Sequence, residues 1–358
     1  MKTQNPLDDL AKISQLDKSQ MAKTIALFPQ QLLQTWEELK DWKPEIDVSQ
    51  IQNIVTIGMG GSGLGAHFIN SLFSDEFKIP HVIVNDYVLP EFVDKSSLVF
   101  LTSYSGNTQE TLKAGELALK KRSKIIVITT GGKLAEFAKK EKLPSWIFEP
   151  KYNFCGQPRM GLGYSILGQI LILKSLNVLE FSQNEFKRIL AITGDACQKF
   201  GIEVEASKNL AKSTAAEIFG KIPIIFAAQY LTGNAHIMSN QINENAKSAS
   251  FWLPIPEADH HFLEAVKSPL SNESLVFINL LSEFYDDGIK KRFKVANQLA
   301  QQFMVKVVDI KLTAQIPLDE CFTMLVLSSW ISFYLAILDN IDPTPIPTVD
   351  FFKEHFIK

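Results

Sequence analysis

Four short apolar runs in the first half of the chain each end on glycine or small polar residues. They are Ile51 to Ile57 (IQNIVTI), His81 to Asn85 (HVIVN), Ser97 to Thr102 (SLVFLT) and Lys124 to Thr129 (KIIVIT). Runs this short, rich in branched residues and apolar on both faces, are what a buried parallel strand requires. The segments Ala66 to Phe73 and Thr108 to Lys121, which separate them, have helical spacing. Strands alternating with helices predict a doubly wound α/β layer structure.

The alternation pauses at Glu149 to Gly163, which is rich in proline, glycine and aromatic residues. Two helical segments follow, Tyr164 to Leu176 and Ser182 to Gln198. Strands are then expected at Ile222 to Ala227, Ser250 to Pro254, Ser274 to Leu281 and Met304 to Ile310. A helix is expected over Asn234 to Asn245, and a long apolar one over Asp319 to Leu338. With 358 residues, 46% of them hydrophobic, the chain has material for two cores. The expected domains are 1–180, with the leading helical residues Asp17 to Lys40 included, and 181–358.

Composition narrows the ligand. A formal net charge of −3 argues against nucleic acid, which is bound by basic patches. Cys155, Cys197 and Cys321 are odd in number and widely spaced, so neither a disulfide framework nor a zinc site is expected. His260 and His261 are adjacent, with no third ligand at matching spacing, so no metal is expected either. The stretch Met1 to Leu10 lacks the apolar core of a signal peptide. The apolar run Leu325 to Leu338 is shorter than the roughly 20 residues of a membrane span. No membrane partner is expected, and a reducing cytoplasm is the simplest compartment.

Two turns carry the chemistry. Gly58-Met59-Gly60-Gly61-Ser62-Gly63 follows the first strand and opens a helix. Glycines let a backbone approach an anion, and helix N-terminal N–H groups then point at it. Alone, Gly58, Gly60 and Gly63 also fit a dinucleotide fingerprint, with Asp86 about 20 residues on as the ribose ligand. The second turn, Ser103-Tyr104-Ser105-Gly106-Asn107-Thr108, favours a phosphate instead. Its three hydroxyls and free N–H groups can satisfy phosphate oxygens without a cation. Helix capping would need only one of them.

These two segments resemble the sugar isomerase (SIS) domain. The whole chain from about Ile51 onward resembles the bifunctional phosphoglucose/phosphomannose isomerase family, which carries two such domains in tandem. Further segments follow in the family's order. They are Gln157-Pro158-Arg159 with GLGYS, Asn243-Glu244-Asn245-Ala246-Lys247, Pro256-Glu257-Ala258-Asp259-His260, Asp342-Pro343-Thr344-Pro345, and Phe351-Phe352-Lys353.

The resemblance implies two flavodoxin-like parallel-sheet domains and interconversion of glucose 6-phosphate and mannose 6-phosphate with fructose 6-phosphate, without a cofactor. It implies that Gly61, Ser62, Ser103, Ser105 and Thr108 hold the substrate phosphate. Glu244 matches the base, Arg159 the residue that steadies the enediolate, and His260 with Lys353 the ring-opening pair. In this family the histidine comes from the partner subunit of a homodimer. The family's PELNHNE reads PEADHHF here, which leaves His261 beside His260 as a second candidate. Thr344 and Thr348 are both candidates for assisting rotation about C2–C3 of the intermediate.

Bare chemistry agrees with these residue types. A carboxylate base serves proton transfer between C2 and C1 if burial raises its pKa. A permanently charged arginine suits a developing oxyanion. A histidine switches near neutral pH, as ring opening demands. Alone, Glu244 would read as a solvated helix residue, Arg159 as half of a surface ion pair and Lys353 as a free surface lysine. His67, His81 and His236 are single and read as core or surface residues.

Overall fold

The computed structural model describes residues 5–356, which form two compact units. One comprises Leu27–Ala191; the other combines the residues up to Ala26 with Ile192–Lys358. The leading segment contributes α1 (Leu10–Leu16) and α2 (Met21–Ala26) to the second unit and α3 (Phe28–Leu39) to the first. The sequence reading placed all of it with the first sheet. An ion pair explains the difference up to Ala26. Lys212 has no side-chain exposure, and its Nζ lies 2.9 Å from Asp8 Oδ1. The Ala206 N–H donates to the same oxygen. Without Asp8 the buried ammonium would lose its counter-charge.

In the first unit, β1 (Asn53–Ile57), α4 (Leu64–Leu72), β2 (His81–Val84), β3 (Ser97–Ser103), α5 (Gln109–Lys120), β4 (Lys124–Thr129), α6 (Gly132–Lys140) and β5 (Ser145–Ile147) follow in order. They build a parallel five-stranded sheet in the order β2-β1-β3-β4-β5. Alternate strand residues Val55, Ile57, Val99, Leu101, Ile125 and Val127 pack on Ala114 and Ala118 of α5 and Leu134 and Ala138 of α6. The intervening residues Ile54, Phe100 and Ile126 are buried as well, so the sheet is covered on both faces. α7 (Leu162–Ser175) packs against α3 and α4. α8 (Gln183–Phe200) carries the chain across the boundary between the units.

In the second unit come α9 (Leu210–Ile218), β6 (Ile222–Ala228), α10 (Thr232–Asn245), β7 (Phe251–Ile255), α11 (Pro269–Ser274), β8 (Leu275–Leu281), α12 (Asp287–Gln302), β9 (Lys306–Lys311), α13 (Pro317–Leu338) and α14 (Pro347–Phe356). The sheet is again parallel, in the order β7-β6-β8-β9. α13 is apolar around its whole circumference because α2, α9 and α10 all pack on it. It has 22 residues and by length and composition alone is long enough to cross a membrane, against the shorter run expected. Its most apolar stretch is 89% buried inside the protein, which makes it a core helix.

Candidate active site

The candidate phosphate cradle is built where β1 and β3 run side by side in the first sheet. The chain leaves β1 at Gly58, makes a tight turn over Gly60–Ser62 and enters α4. Gly60 takes φ +49°, which only glycine adopts readily. Gly61 must lack a side chain for another reason: a Cβ there would lie 2.6 Å from the Arg159 backbone nitrogen. The Ser62 hydroxyl accepts from the Tyr104 N–H at 2.9 Å, which ties the first turn to the second.

The second turn leaves β3 at Ser103. The buried Ser103 Oγ lies 2.8 Å from Thr108 Oγ1 and accepts from the Gly106 N–H at 3.1 Å. Ser105 is exposed on the outer side of the turn, its hydroxyl accepting from the Asn107 N–H at 3.3 Å. Thr108 stands at the N-cap of α5, yet its side chain makes no capping bond. α4 likewise begins on Gly63 with no side-chain cap. Capping therefore does not account for these hydroxyls. Two helix N-termini with uncapped N–H groups rise from adjacent strands, an arrangement suited to an anion.

Arg159 belongs to the same unit. It lies in a short turn, Pro158–Met160, whose backbone rests against Gly61. Its guanidinium is fully buried, and Nη1 donates to Gln157 Oε1 at 2.6 Å. Residues that motif reading missed hold this turn. Gln31, in α3, donates to the Met160 and Tyr152 carbonyls and accepts from the Gly163 N–H. Asn153 Nδ2 donates both to the Tyr104 hydroxyl at 2.7 Å and to the Gln157 carbonyl. The one clue to Gln31 in sequence is a polar residue on the apolar face of a helix. Gly61, Ser62, Ser103, Thr108 and Arg159 thus come together as a single construction.

The other expected residues lie in the second unit. Glu244 is the penultimate residue of α10 and is partly buried. Its neighbour Asn243 exchanges hydrogen bonds with Ser250, the residue just before β7. The last turn of α10 therefore sits at the N-terminal end of β7. His260 lies on a short turn, Glu257–His260, beyond the C-terminal end of the same strand. It is exposed, as is His261, and Asp259 beside it pairs with Arg292 of α12 at 3.0 Å. Glu244 and His260 are thus separated by the length of β7, about 16 Å for a five-residue strand.

Lys247 Nζ donates to the Asp342 carbonyl at 2.8 Å, so the Asn243–Lys247 and Asp342–Pro345 segments meet. Thr344 is buried there, its N–H donating to Asp342 Oδ1, whereas Thr348 is exposed in the first turn of α14. Lys353 is exposed on α14. Among the described residues no group of three or more His, Cys, Asp and Glu side chains is placed to hold a metal ion.

Comparison with known proteins decides the family. A SIS-domain model matches residues 47–141, and a model of the bacterial phospho-glucose isomerase C-terminal SIS domain matches residues 207–356. A bifunctional phosphoglucose/phosphomannose isomerase of Caldicellulosiruptor bescii is 32% identical, over 93% of this chain and 98% of its own. The chain belongs to the bifunctional phosphoglucose/phosphomannose isomerase family. A member of that family from Aquifex aeolicus is also 32% identical, over 90% of this chain and 94% of its own. Among solved structures, a hypothetical protein of Thermus thermophilus superposes with a TM-score of 0.72 at 16% identity. That match covers 94% of this chain and 90% of the other, and it shows that the two share a fold.

Proposed function

We propose that this chain interconverts glucose 6-phosphate and mannose 6-phosphate with fructose 6-phosphate through an enediolate. The observation that carries the proposal is the packing of the Pro158–Arg159 backbone against Gly61, which ties the turn bearing a buried arginine to the proposed cradle. Relatives named for both activities, at 32% identity over nearly their full length, support the dual specificity. The two aldoses differ only at C2, and that difference vanishes in the enediol.

In this reading Gly61, Ser62, Ser103, Ser105 and Thr108 hold the phosphate. Glu244 takes the C2 proton and returns it to C1. Arg159 stabilises the negative oxygen of the enediolate. His260, with His261 as the alternative, and Lys353 open the ring. Thr344, buried beside the Glu244 segment, is the better placed of the two threonines to meet the intermediate.

The separation of Glu244 and His260 supports a homodimer with shared sites. Side chains at opposite ends of one strand do not act on one sugar, so a second copy would supply the histidine. α14 exposes Phe351, Phe352 and Phe356, apolar surface that such a contact would cover. Three free, buried cysteines accord with a cytoplasmic setting.

The test is a cofactor-free assay with each aldose phosphate in turn. Both sugars should turn over, and Glu244→Gln should lose about 1,000-fold in kcat, the scale of general-base catalysis. His260→Ala should likewise lose most of its activity, and mixing it with Glu244→Gln should restore turnover by creating one intact site. Turnover of glucose 6-phosphate alone would remove the dual specificity. Phosphosugar binding without turnover would leave a sensor rather than an enzyme.

A further inference from the structure

An anion-binding loop needs its N–H groups turned inward and its carbonyls turned away. In the stretch from Ile57 to Ser62, three carbonyls are held by side chains from the strands on either side. The Thr102 hydroxyl, at the end of β3, lies 2.9 Å from the Ile57 carbonyl and 3.0 Å from the Ser62 carbonyl. It is buried and spans both ends of the turn. On the opposite side Asn85, one residue beyond β2, donates Nδ2 to the Gly58 carbonyl at 2.5 Å. His67, in the first turn of α4, hydrogen-bonds the Asn85 amide in its turn.

The glycines of the loop make room for these two side chains. A Cβ on Gly58 would lie 2.3 Å from Thr102 Oγ1. One on Gly63 would lie 2.7 Å from the Gly58 carbonyl oxygen and 3.3 Å from Asn85 Nδ2. The glycine pattern therefore serves the straps as well as the anion.

We propose that Asn85 and Thr102 are positioning residues for the substrate phosphate. They act by drawing the carbonyls of Ile57, Gly58 and Ser62 off the anion site before substrate arrives. The inference rests on the cradle described under the proposed function and deepens it. Asn85 is exposed, so its loss exposes the Gly58 carbonyl to water and costs the fold little. The loss falls on anion binding instead, because a freed carbonyl dipole can swing toward the phosphate.

The experiment compares Asn85→Ala, Asn85→Asp, Thr102→Val and Thr102→Ser with the unaltered protein. Inorganic phosphate binding is measured by calorimetry, glucose 6-phosphate kinetics by assay, and Tm alongside. Asn85→Ala should raise KM and the Kd for inorganic phosphate by the same factor, about tenfold, the scale of one hydrogen bond. Its kcat and Tm should be unchanged. Asn85→Asp should bind phosphate more weakly still, since a carboxylate cannot donate to the carbonyl and repels the anion. Thr102→Ser should keep the affinity that Thr102→Val loses. Unchanged phosphate affinity in Asn85→Ala, or losses that merely follow a fallen Tm, would overturn the inference. Calorimetry needs no turnover, so failure of the isomerase reading leaves this test intact.

Discussion

Both sheets put their first strand between the second and the third, β1 between β2 and β3 and β6 between β7 and β8. The crevice beyond the strand ends, where the order reverses, is where open α/β sheets bind ligands. In the first sheet that crevice is lined by glycines, hydroxyls and uncapped helix starts. In the second it is filled. Tyr230, just after β6, donates to Glu320 Oε2 at 2.8 Å and meets the hydroxyl of Ser282, just after β8. Tyr285 donates to the Leu280 carbonyl and accepts from the Ala228 N–H. The two tyrosine rings lie 5.6 Å apart. Two large rings and a buried carboxylate occupy the position of the proposed phosphate cradle in the sister domain. Topology offers the crevice; side-chain volume and charge at the strand ends decide whether it becomes a site.

The sharpest way to break this contrast is to fill the open crevice. Gly61→Val puts side-chain atoms against the Pro158–Arg159 backbone, where even a Cβ meets atoms at 2.6 and 2.9 Å. The turn carrying Arg159 must shift, and kcat/KM should fall by about 100-fold or more, roughly 3 kcal/mol of transition-state stabilisation. Steady-state kinetics with circular dichroism as the folding control checks it. Full activity would mean that the cradle and Arg159 do not work together.

The two domains also differ in how they answer pH. At the start of β2 in the first sheet, His81 Nε2 lies 2.9 Å from Thr56 Oγ1, and its Nδ1 is buried without a partner. Burial, helped by the nearby His67, pushes its pKa down to about 4. Between that value and the ordinary 6.5 the unfolded chain binds a proton that the folded one refuses. The stabilisation is therefore complete above pH 6.5 and drains away as pH falls toward about 4, a loss of up to about 3 kcal/mol. Denaturant midpoints across that window should drop steeply for the unaltered protein and much less for His81→Gln. Equal slopes would show that His81 titrates normally.

Much of this fold was legible, because β-branched runs such as KIIVIT are ambiguous only when they are isolated. Both parallel sheets and the long α13 follow from the alternation. β5 and α12 were not legible. β5 has three residues, and α12 is largely exposed, with only Phe293 and Ala300 fully buried along it. The two turns stood out as candidates because glycine and hydroxyl chemistry is local to each turn. Gln31, Asn85 and Thr102 were not, since each acts through a backbone carbonyl far away in sequence, a relation no motif encodes. The fate of Asp8 was equally hidden: one acidic residue near the start gives no sign that it neutralises a buried lysine about 200 positions on.

The filled crevice answers pH with the opposite sign. Burial raises the pKa of Glu320, an effect that its hydrogen bonds with Ser282 and Tyr230 oppose and only partly offset. A carboxyl whose folded pKa lies above its unfolded one contributes stability at low pH and loses it as pH climbs through the raised value. Glu320→Gln keeps a similar shape and an acceptor for the Tyr230 hydroxyl but cannot ionise. As pH falls and the buried acid takes up its proton, the melting temperatures of the variant and the unaltered protein should converge. At about pH 8 the variant should melt higher, because it escapes the cost of a buried charge. Activity should not change, because Glu320 lies outside the proposed cradle. A variant that melts lower at both pH values would mean that the ionised carboxylate itself holds Tyr230 and Ser282 in place. The filled crevice would then be an ionic network rather than a neutral plug, and the two domains would differ less in charge than in shape.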